Sequence, residues 1–148
     1  MALSPNEAKL VRDSWVSLSA DLQKHGREVF VRLFEKYPEV KADFKVAGIS
    51  GMNSAQLRSS PEGGAHGAFV FGGIGGFVAC CDNAATLKEC CAKNVRVHIP
   101  RGVNMEKYLK VFDVIKAYLK DAGVSGPTLD AWVKFCDVVA AGLEAKLG

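Results

Sequence analysis

The chain has 148 residues, of which 49% are hydrophobic and 24% are charged, and its 19 Lys and Arg stand against 16 Asp and Glu. This composition excludes a disordered or collagen-like chain, and the length predicts a single globular domain over residues 1–148. The basic residues are scattered among acidic ones and form no stripe with aromatic side chains. We therefore expect no nucleic-acid partner.

Helix start and stop signals divide the chain into six or more predicted helices. The first helix follows Ser4, a capping residue with Pro next to it, and runs to about Ser19. A second helix begins near Asp21 and ends before Pro38. A loose connection with several turn-forming residues is predicted over residues 43–58.

The third predicted helix starts at Ser60 and contains an apolar, glycine-rich run of 17 residues from Ala65 to Cys81. The run is short for a membrane span, contains His66 and lacks flanking basic or aromatic residues, so we expect a buried helix and no membrane partner. No strand precedes the glycines and no Lys-Ser/Thr follows them, so they do not form a phosphate loop. Glycines at this density would let a neighbouring backbone or a flat ligand approach closely.

Three more helices complete the predicted fold. One opens at a capping box beginning with Thr86 and ends before Pro100, the next follows Asn104 and closes at Gly123, and the last opens at Gly126. No alternating strand pattern of useful length occurs. The sequence therefore predicts an all-α fold.

The five cysteines are Cys80, Cys81, Cys90, Cys91 and Cys136. Their odd number, with no export signal at the N-terminus, predicts reduced thiols and a cytoplasmic location. Neighbouring positions on a helix point about 100° apart, so the Cys-Cys steps are unsuited to chelating one metal ion. We expect plain thiols, and their oxidation or linkage between subunits under stress is an open alternative.

The sequence contains no catalytic template. A G-x-S-x-G elbow is absent, and Ser59 and Ser60 already serve at a predicted helix start. No cysteine has an activating neighbour, and the carboxylates lie on polar helix faces. We therefore expect that the protein is not an enzyme.

Two of the three histidines are candidate ligands. His25 is predicted to be solvated, whereas His66 and His98 lie in apolar settings on different helices. Imidazole is a good ligand for iron, and an aromatic-lined pocket with one or two histidines suits haem. The competing interpretation is a pair of core histidines bonded to carbonyl groups.

Short segments in order along the chain resemble the globin family over essentially its whole length. They include Leu33–Pro38, Ala42–Lys45, Ser60-Pro61, His98 and Ala131–Lys134. The chain is most similar to the intracellular myoglobins of molluscs. The resemblance implies a globin fold with six to eight helices around a haem b pocket. It also implies reversible binding of O2 and of other diatomic gases such as CO and NO.

The resemblance assigns roles to individual residues. It implies that His98 binds the iron on the proximal side, that His66, 32 residues earlier, faces the distal side, and that Phe44 packs flat on the haem. Val97 and Gly102 stand where vertebrate myoglobins contact the propionates, which leaves Arg101 or Lys45 as candidate anchors. The other pocket residues implied are Phe30, Val70, Val103, Leu109, Phe112 and Val139.

Two functions fit these residues. In the first, His66 donates a hydrogen bond to O2 and the protein stores or transports oxygen. In the second, a compliant glycine-rich helix lets His66 bind the iron directly, which gives a hexacoordinate globin with redox, sensing or NO and nitrite chemistry. A helical interaction module without a cofactor is the third interpretation. Some similar globins pair as homodimers, for which Ile74, Phe77 and Val78 are candidates, although we expect these residues in the core.

Overall fold

The computed structural model describes residues 2–147, which contain helices and no strand. Two 3-10 helices, Pro38–Phe44 and Ile99–Arg101, accompany the α-helices. The all-α prediction is confirmed. The α-helices are α1 (Pro5–Ser19), α2 (Leu22–Lys36), α3 (Ser54–Ser59), α4 (Pro61–Cys80), α5 (Ala84–His98), α6 (Met105–Asp121) and α7 (Gly126–Leu147).

Most helices begin at the predicted capping residues. The Ser4 hydroxyl accepts a bond from the Glu7 amide at 3.2 Å, and the Glu7 carboxylate accepts one from the Ser4 amide at 2.9 Å. Asn104 caps α6 as expected. The capping box at Thr86 is wrong, because the Asn83 side chain accepts the Thr86 amide at 3.0 Å and α5 starts earlier. Asn83 thus satisfies an amide that has no partner inside the helix.

The predicted loose connection over residues 43–58 contains more structure than expected. The Pro38–Phe44 helix extends into its start, and α3 lies at its end. Asn53 and Gln56 form a reciprocal capping box for α3, with both bonds at 2.9 Å. A helix of six residues holds less than two turns, which is too short for a hydrophobic period to reveal it.

The close crossing of α2 and α4 depends on two glycines. A Cβ atom on Gly26 would lie 2.1 Å from the carbonyl oxygen of Gly67, so a side chain at this point would collide with backbone. An interior glycine costs a helix about 1 kcal/mol relative to Ala, and here it permits direct backbone contact. Gly73 and Gly76, further along α4, have no such neighbour within 4 Å of an added Cβ.

The core is one continuous hydrophobic cluster to which all seven α-helices contribute. Trp132 of α7 is the largest of its fully buried side chains, 1% exposed, and its indole N–H donates to the Ser14 hydroxyl of α1 at 2.8 Å. Val78 is buried, and Ile74 and Phe77 pack partly buried against the same cluster, in line with the core prediction.

The C-terminal end of α4 is closed by a side chain from α1. The Arg12 guanidinium donates to the Val78 carbonyl at 3.3 Å and to the Ala79 carbonyl at 2.9 Å. It also forms two bonds, at 2.8 and 2.9 Å, with the Asp82 carboxylate in the following turn. The last carbonyls of a helix lack intrahelical donors, so Arg12 supplies what the helix itself cannot.

By length and composition, α4 is the one α-helix among residues 2–147 that could cross a membrane. Core helices of globular proteins pass the same test, and 39% of its most apolar stretch is buried in this fold. The absence of a membrane partner therefore stays a prediction.

Candidate functional site

His66 lies on α4 against two phenylalanine rings. The Phe30 ring, from α2, has its centroid 4.6 Å from that of His66, and the Phe44 ring lies 5.4 Å away. The two phenylalanines contact each other at 5.2 Å in an edge-on arrangement. Because Gly67 brings α4 directly onto α2, the neighbouring imidazole is held against this aromatic wall.

The Nε2 atom of His66 is buried and has no hydrogen-bond partner within residues 2–147. Burial lowers the pKa of His66, and the positive charge of Arg101 lowers it further. The ring is therefore held neutral, with one N–H and one lone pair. Buried polar atoms are nearly always paired, so an orphaned imidazole nitrogen indicates a place for a ligand.

His98, at the end of α5, differs from His66 because one of its ring nitrogens has a hydrogen-bond partner. Its Nδ1 lies 2.8 Å from the carbonyl oxygen of Asn94, one turn earlier in the same helix. A carbonyl only accepts, so Nδ1 carries the proton and Nε2 presents its lone pair. Tyr108 of α6 donates to the Asn94 side chain at 2.6 Å, and its ring lies 5.6 Å from the imidazole. A backbone bond at one nitrogen is the usual support for a histidine that binds metal through the other.

The loop after His98 brings a positive charge toward His66. Arg101, three residues beyond His98, is close enough to His66 for its charge to act there. Gly102 takes φ +75°, a conformation that favours glycine, and its carbonyl accepts from the Lys107 ammonium at 3.0 Å. Lys107 also pairs with Asp43 at 2.9 Å, which fixes the loop to the segment that carries Phe44.

The structure places most of the remaining predicted pocket residues in or against the core. Leu109 is the exception: it is 51% exposed on α6, so its contact with a cofactor stays a prediction. Phe30 and Val139 are buried, and Phe44, Val70, Val103 and Phe112 pack partly buried against the core.

The prediction that His25 is solvated is wrong. It is half-buried, with its Nδ1 2.5 Å from the Tyr118 hydroxyl and its ring 5.6 Å from Phe71. Burial lowers the pKa of His25. Its position four residues before Val29 places it on the inward face of α2, a periodicity that could have revealed the burial.

The hydrogen bonds that orient His98 were not identified from the sequence. Asn94 lies four residues before His98, the spacing at which a ring can reach a helix carbonyl, and that spacing was the available signal. The contribution of Tyr108 depends on how α6 packs on α5, which no local pattern records.

A family model for globins matches residues 27–143. The chain belongs to the globin family. This match confirms the family inferred from the sequence, and it covers both histidines and all of the predicted pocket residues.

Individual globins match over most of the chain. A globin of the mollusc Nerita albicilla is 28% identical over 148 residues, covering 98% of this chain and 93% of the relative. A globin of Tritia mutabilis is 31% identical over 123 residues, covering 81% of this chain and 82% of the relative. A neuroglobin of Chaenocephalus aceratus is 29% identical over 145 residues, covering 96% of this chain and 91% of the relative.

As a globin, the chain has a site that fits the family's cofactor. Globins bind haem and, through it, diatomic gases, generally without enzymatic turnover. Residues 2–147 contain no group of three or more His, Cys, Asp or Glu that could hold a metal. A haem iron takes as few as one histidine from the protein, and the Nε2 atoms of His98 and His66 fit that chemistry.

Proposed function

We propose that this globin stores or carries O2, with His98 as the axial iron ligand and His66 as a hydrogen-bond donor to the gas. The observation that supports this proposal best is the buried Nε2 of His66, which has no partner in the described chain. Haem b, when bound, supplies an iron with one position open to a diatomic gas.

His98 would hold the cofactor in a fixed orientation. The bond from its Nδ1 to the Asn94 carbonyl sets the tautomer, and the Tyr108 ring limits rotation of the imidazole. A ligand oriented before binding loses little further freedom when it binds. We assign the propionate contacts to Arg101 or Lys45, which are both exposed and follow His98 and Phe44 closely in the chain.

His66 would provide selectivity for O2. A gas that acquires partial negative charge accepts a hydrogen bond from a neutral imidazole, and such a bond is worth roughly 1.5–3 kcal/mol. That corresponds to about one to two powers of ten in affinity. Carbon monoxide is less polar when bound and should gain less. The lowered pKa of His66 supports the neutral form that this role requires.

The aromatic wall would exclude water from the same side. Phe30 is 2% exposed, and Phe44 and Val70 pack partly buried against the hydrophobic core. Exclusion of water strengthens the hydrogen bond from His66. It should also slow the loss of superoxide that oxidises the iron.

A second candidate is a hexacoordinate globin in which His66 itself binds the iron. The same unpartnered Nε2 favours it, together with Gly73 and Gly76, which lower the stability of α4 without a packing role within the described chain. Such a protein would suit redox, sensing or NO and nitrite chemistry. Both candidate functions use the same residues. They differ in whether His66 binds the iron itself or leaves that position open to a gas.

A visible absorption spectrum distinguishes them. The purified protein is reduced without gas and then exposed to O2. One broad visible band that splits into two with O2 supports the first proposal, and sharp resolved bands before O2 is added overturn it in favour of the second. A colourless protein after expression with haem supplied contradicts both.

The His66→Val variant is the matched control for this spectrum. Valine removes the only candidate sixth ligand on α4 and keeps an apolar side chain in the aromatic wall. The variant should show the broad band in either case, so a change from sharp to broad identifies His66 as the sixth ligand. No change from a sharp spectrum would exclude His66 from that role.

A further inference from the structure

Two of the five cysteines face each other across the junction of α4 and α5. The Sγ atoms of Cys80 and Cys90 are 2.8 Å apart, and no other pair of sulfur atoms makes such a contact within residues 2–147. Both sulfurs also lie near the Gly76 carbonyl oxygen, at 3.1 Å for Cys80 and 3.9 Å for Cys90. We propose that Cys80 and Cys90 are a reversible redox site that forms a disulfide between α4 and α5.

The separation of the two sulfurs leaves little movement to make. A disulfide bond is about 2.05 Å long, so the sulfurs must approach by roughly 0.8 Å from their 2.8 Å separation. The turn between the helices is already held in place, because Arg12 binds Asp82 twice and the Leu3 amide donates to the Cys81 carbonyl at 2.8 Å. A fixed junction keeps the two thiols together before any reaction.

The other cysteines are unsuited to this chemistry. Cys81, Cys91 and Cys136 are each at most 1% exposed. Burial raises the pKa of Cys91 to about 11 and that of Cys136 to about 12, and within residues 2–147 neither sulfur contacts another sulfur that could react with it, as Cys80 does. Cys91 is further enclosed by α7, where a Cβ on Gly142 would lie 2.6 Å from its sulfur.

The accessibility of the two sulfurs sets the order of events. Cys90 is half-buried and reaches solvent, whereas Cys80 is only 6% exposed. Burial and the hydrogen bond to Cys90 raise the pKa of Cys80 to about 12. Cys90 is therefore the sulfur that meets an oxidant, and Cys80 is the resolving sulfur.

A low-molecular-weight disulfide such as oxidised glutathione is a suitable oxidant. The Cys90 thiolate attacks one glutathione sulfur, forms a mixed disulfide and releases one glutathione thiol. Cys80 loses its proton and attacks the Cys90 sulfur, which forms the protein disulfide and expels the second glutathione. Two protein thiols are oxidised by two electrons, and one glutathione disulfide is reduced to two thiols.

The consequence concerns stability, and the inference does not depend on gas binding. Cys80 lies 14 positions after His66 on α4, or roughly 21 Å along the helix axis. The bond closes a loop of about ten residues and restricts the unfolded chain. We expect the oxidised protein to melt about 4–10 °C higher than the reduced protein.

Peptide mapping tests the bond directly. The purified protein is treated with oxidised glutathione, its remaining thiols are blocked, and it is digested with trypsin. Cleavage after Lys88 separates the peptide with Cys80 and Cys81 from that with Cys90 and Cys91. A cross-linked pair of these peptides, lost on treatment with dithiothreitol, supports the proposal. Five free thiols, or Cys90 remaining bound to glutathione, would overturn it.

Single substitutions assign the bond to its sulfurs. Cys90→Ser changes a half-buried side chain and should remove both the cross-link and the rise in Tm. The matched control, Cys91→Ala, should retain both. A cross-link that survives in Cys90→Ser or disappears in Cys91→Ala contradicts the proposal, and the wild-type map stands even if a variant fails to fold.

Discussion

The proposed distal and proximal sides of the site hold the same side chain in opposite ways. On the proximal side, the Nδ1 of His98 is fixed by a carbonyl whose own residue is bonded to Tyr108. On the distal side, the Nε2 of His66 is buried without a partner, among aromatic rings that offer it no hydrogen bond. An imidazole that binds metal gains from being oriented beforehand, whereas one that must meet a changing ligand gains from an unoccupied nitrogen.

The backbone differs between the two sides as well. The distal helix α4 is positioned by glycine contact with α2, where no side chain intervenes. The proximal helix α5 is positioned by side chains, including Leu87, Cys91 and Val95, that pack into the core. Backbone contact leaves no room for substitution, so the distal side should be the more sensitive to added volume.

The largest expected effect is on that glycine contact. Gly26→Ala places a Cβ 2.1 Å from the Gly67 oxygen, so α2 and α4 must separate. We expect the free energy of unfolding to fall by about 3 kcal/mol or more, measured by urea denaturation. The control is Gly73→Ala, where an added Cβ meets nothing within 4 Å; it should raise stability by up to about 1 kcal/mol. Equal effects of both changes would show that helix propensity, and not contact, sets the cost.

The next effect concerns the unpaired nitrogen of His66. In His66→Val the donor is lost, and we expect the O2 dissociation rate, measured by stopped flow, to rise about tenfold or more. Oxidation of the iron in air should also accelerate. The CO dissociation rate should change less, which makes CO the internal control. An unchanged O2 dissociation rate would contradict the proposed hydrogen bond from His66 to O2.

Acid should weaken the distal side of the cofactor-free protein. Burial lowers the pKa of His66 in the folded chain, so below the ordinary value of 6.5 the unfolded chain binds a proton that the folded chain resists. The free energy of unfolding should therefore fall as the pH drops below about 6.5. The limit for one group is about 1.4 kcal/mol per pH unit, and the slope should be smaller because the ring is partly exposed. His66→Leu should flatten this dependence in pH-resolved urea titrations. His25, whose pKa burial also lowers, would retain its share of the slope.

The smallest effect is expected on the proximal side. Tyr108→Phe removes the 2.6 Å bond to Asn94 but leaves the carbonyl that holds His98. We expect a loss of about 1 kcal/mol in unfolding free energy and an O2 dissociation rate within about threefold of the parent. A larger change in rate would mean that Tyr108, rather than the backbone carbonyl, orients His98.

The sequence predicts this fold well because helix ends are local. Ser4 and Asn104 cap the helices that they precede, and Pro38 and Pro100 interrupt helical geometry at the expected places. Thr86 misled the prediction because Asn83, three residues earlier, is also a good capping residue, and its side chain accepts the Thr86 amide. Two good capping residues in one short turn cannot be ranked without the packing of the helix that follows.

The site could be predicted only in part. His66 and His98 followed from their apolar settings and from the resemblance to globins. The orphaned Nε2 of His66 and the Arg101 charge beside it depend on how α4 meets α2 and on the path of the loop after α5. These are relations between segments far apart in the chain. The pairing of His25 with Tyr118, 93 residues away, is of the same kind, although the position of His25 on the inward face of α2 is a local signal.

The attachment of Arg12 to the end of α4 has a consequence for the order in which the chain is made. The guanidinium emerges from the ribosome before its acceptors, the Val78 and Ala79 carbonyls and the Asp82 carboxylate, which lie 66 to 70 residues later. During synthesis the Arg12 guanidinium on α1 therefore has none of these acceptors until the helix that carries His66 has been made. The final turn of that helix acquires its donors only when the oldest part of the chain folds back onto it.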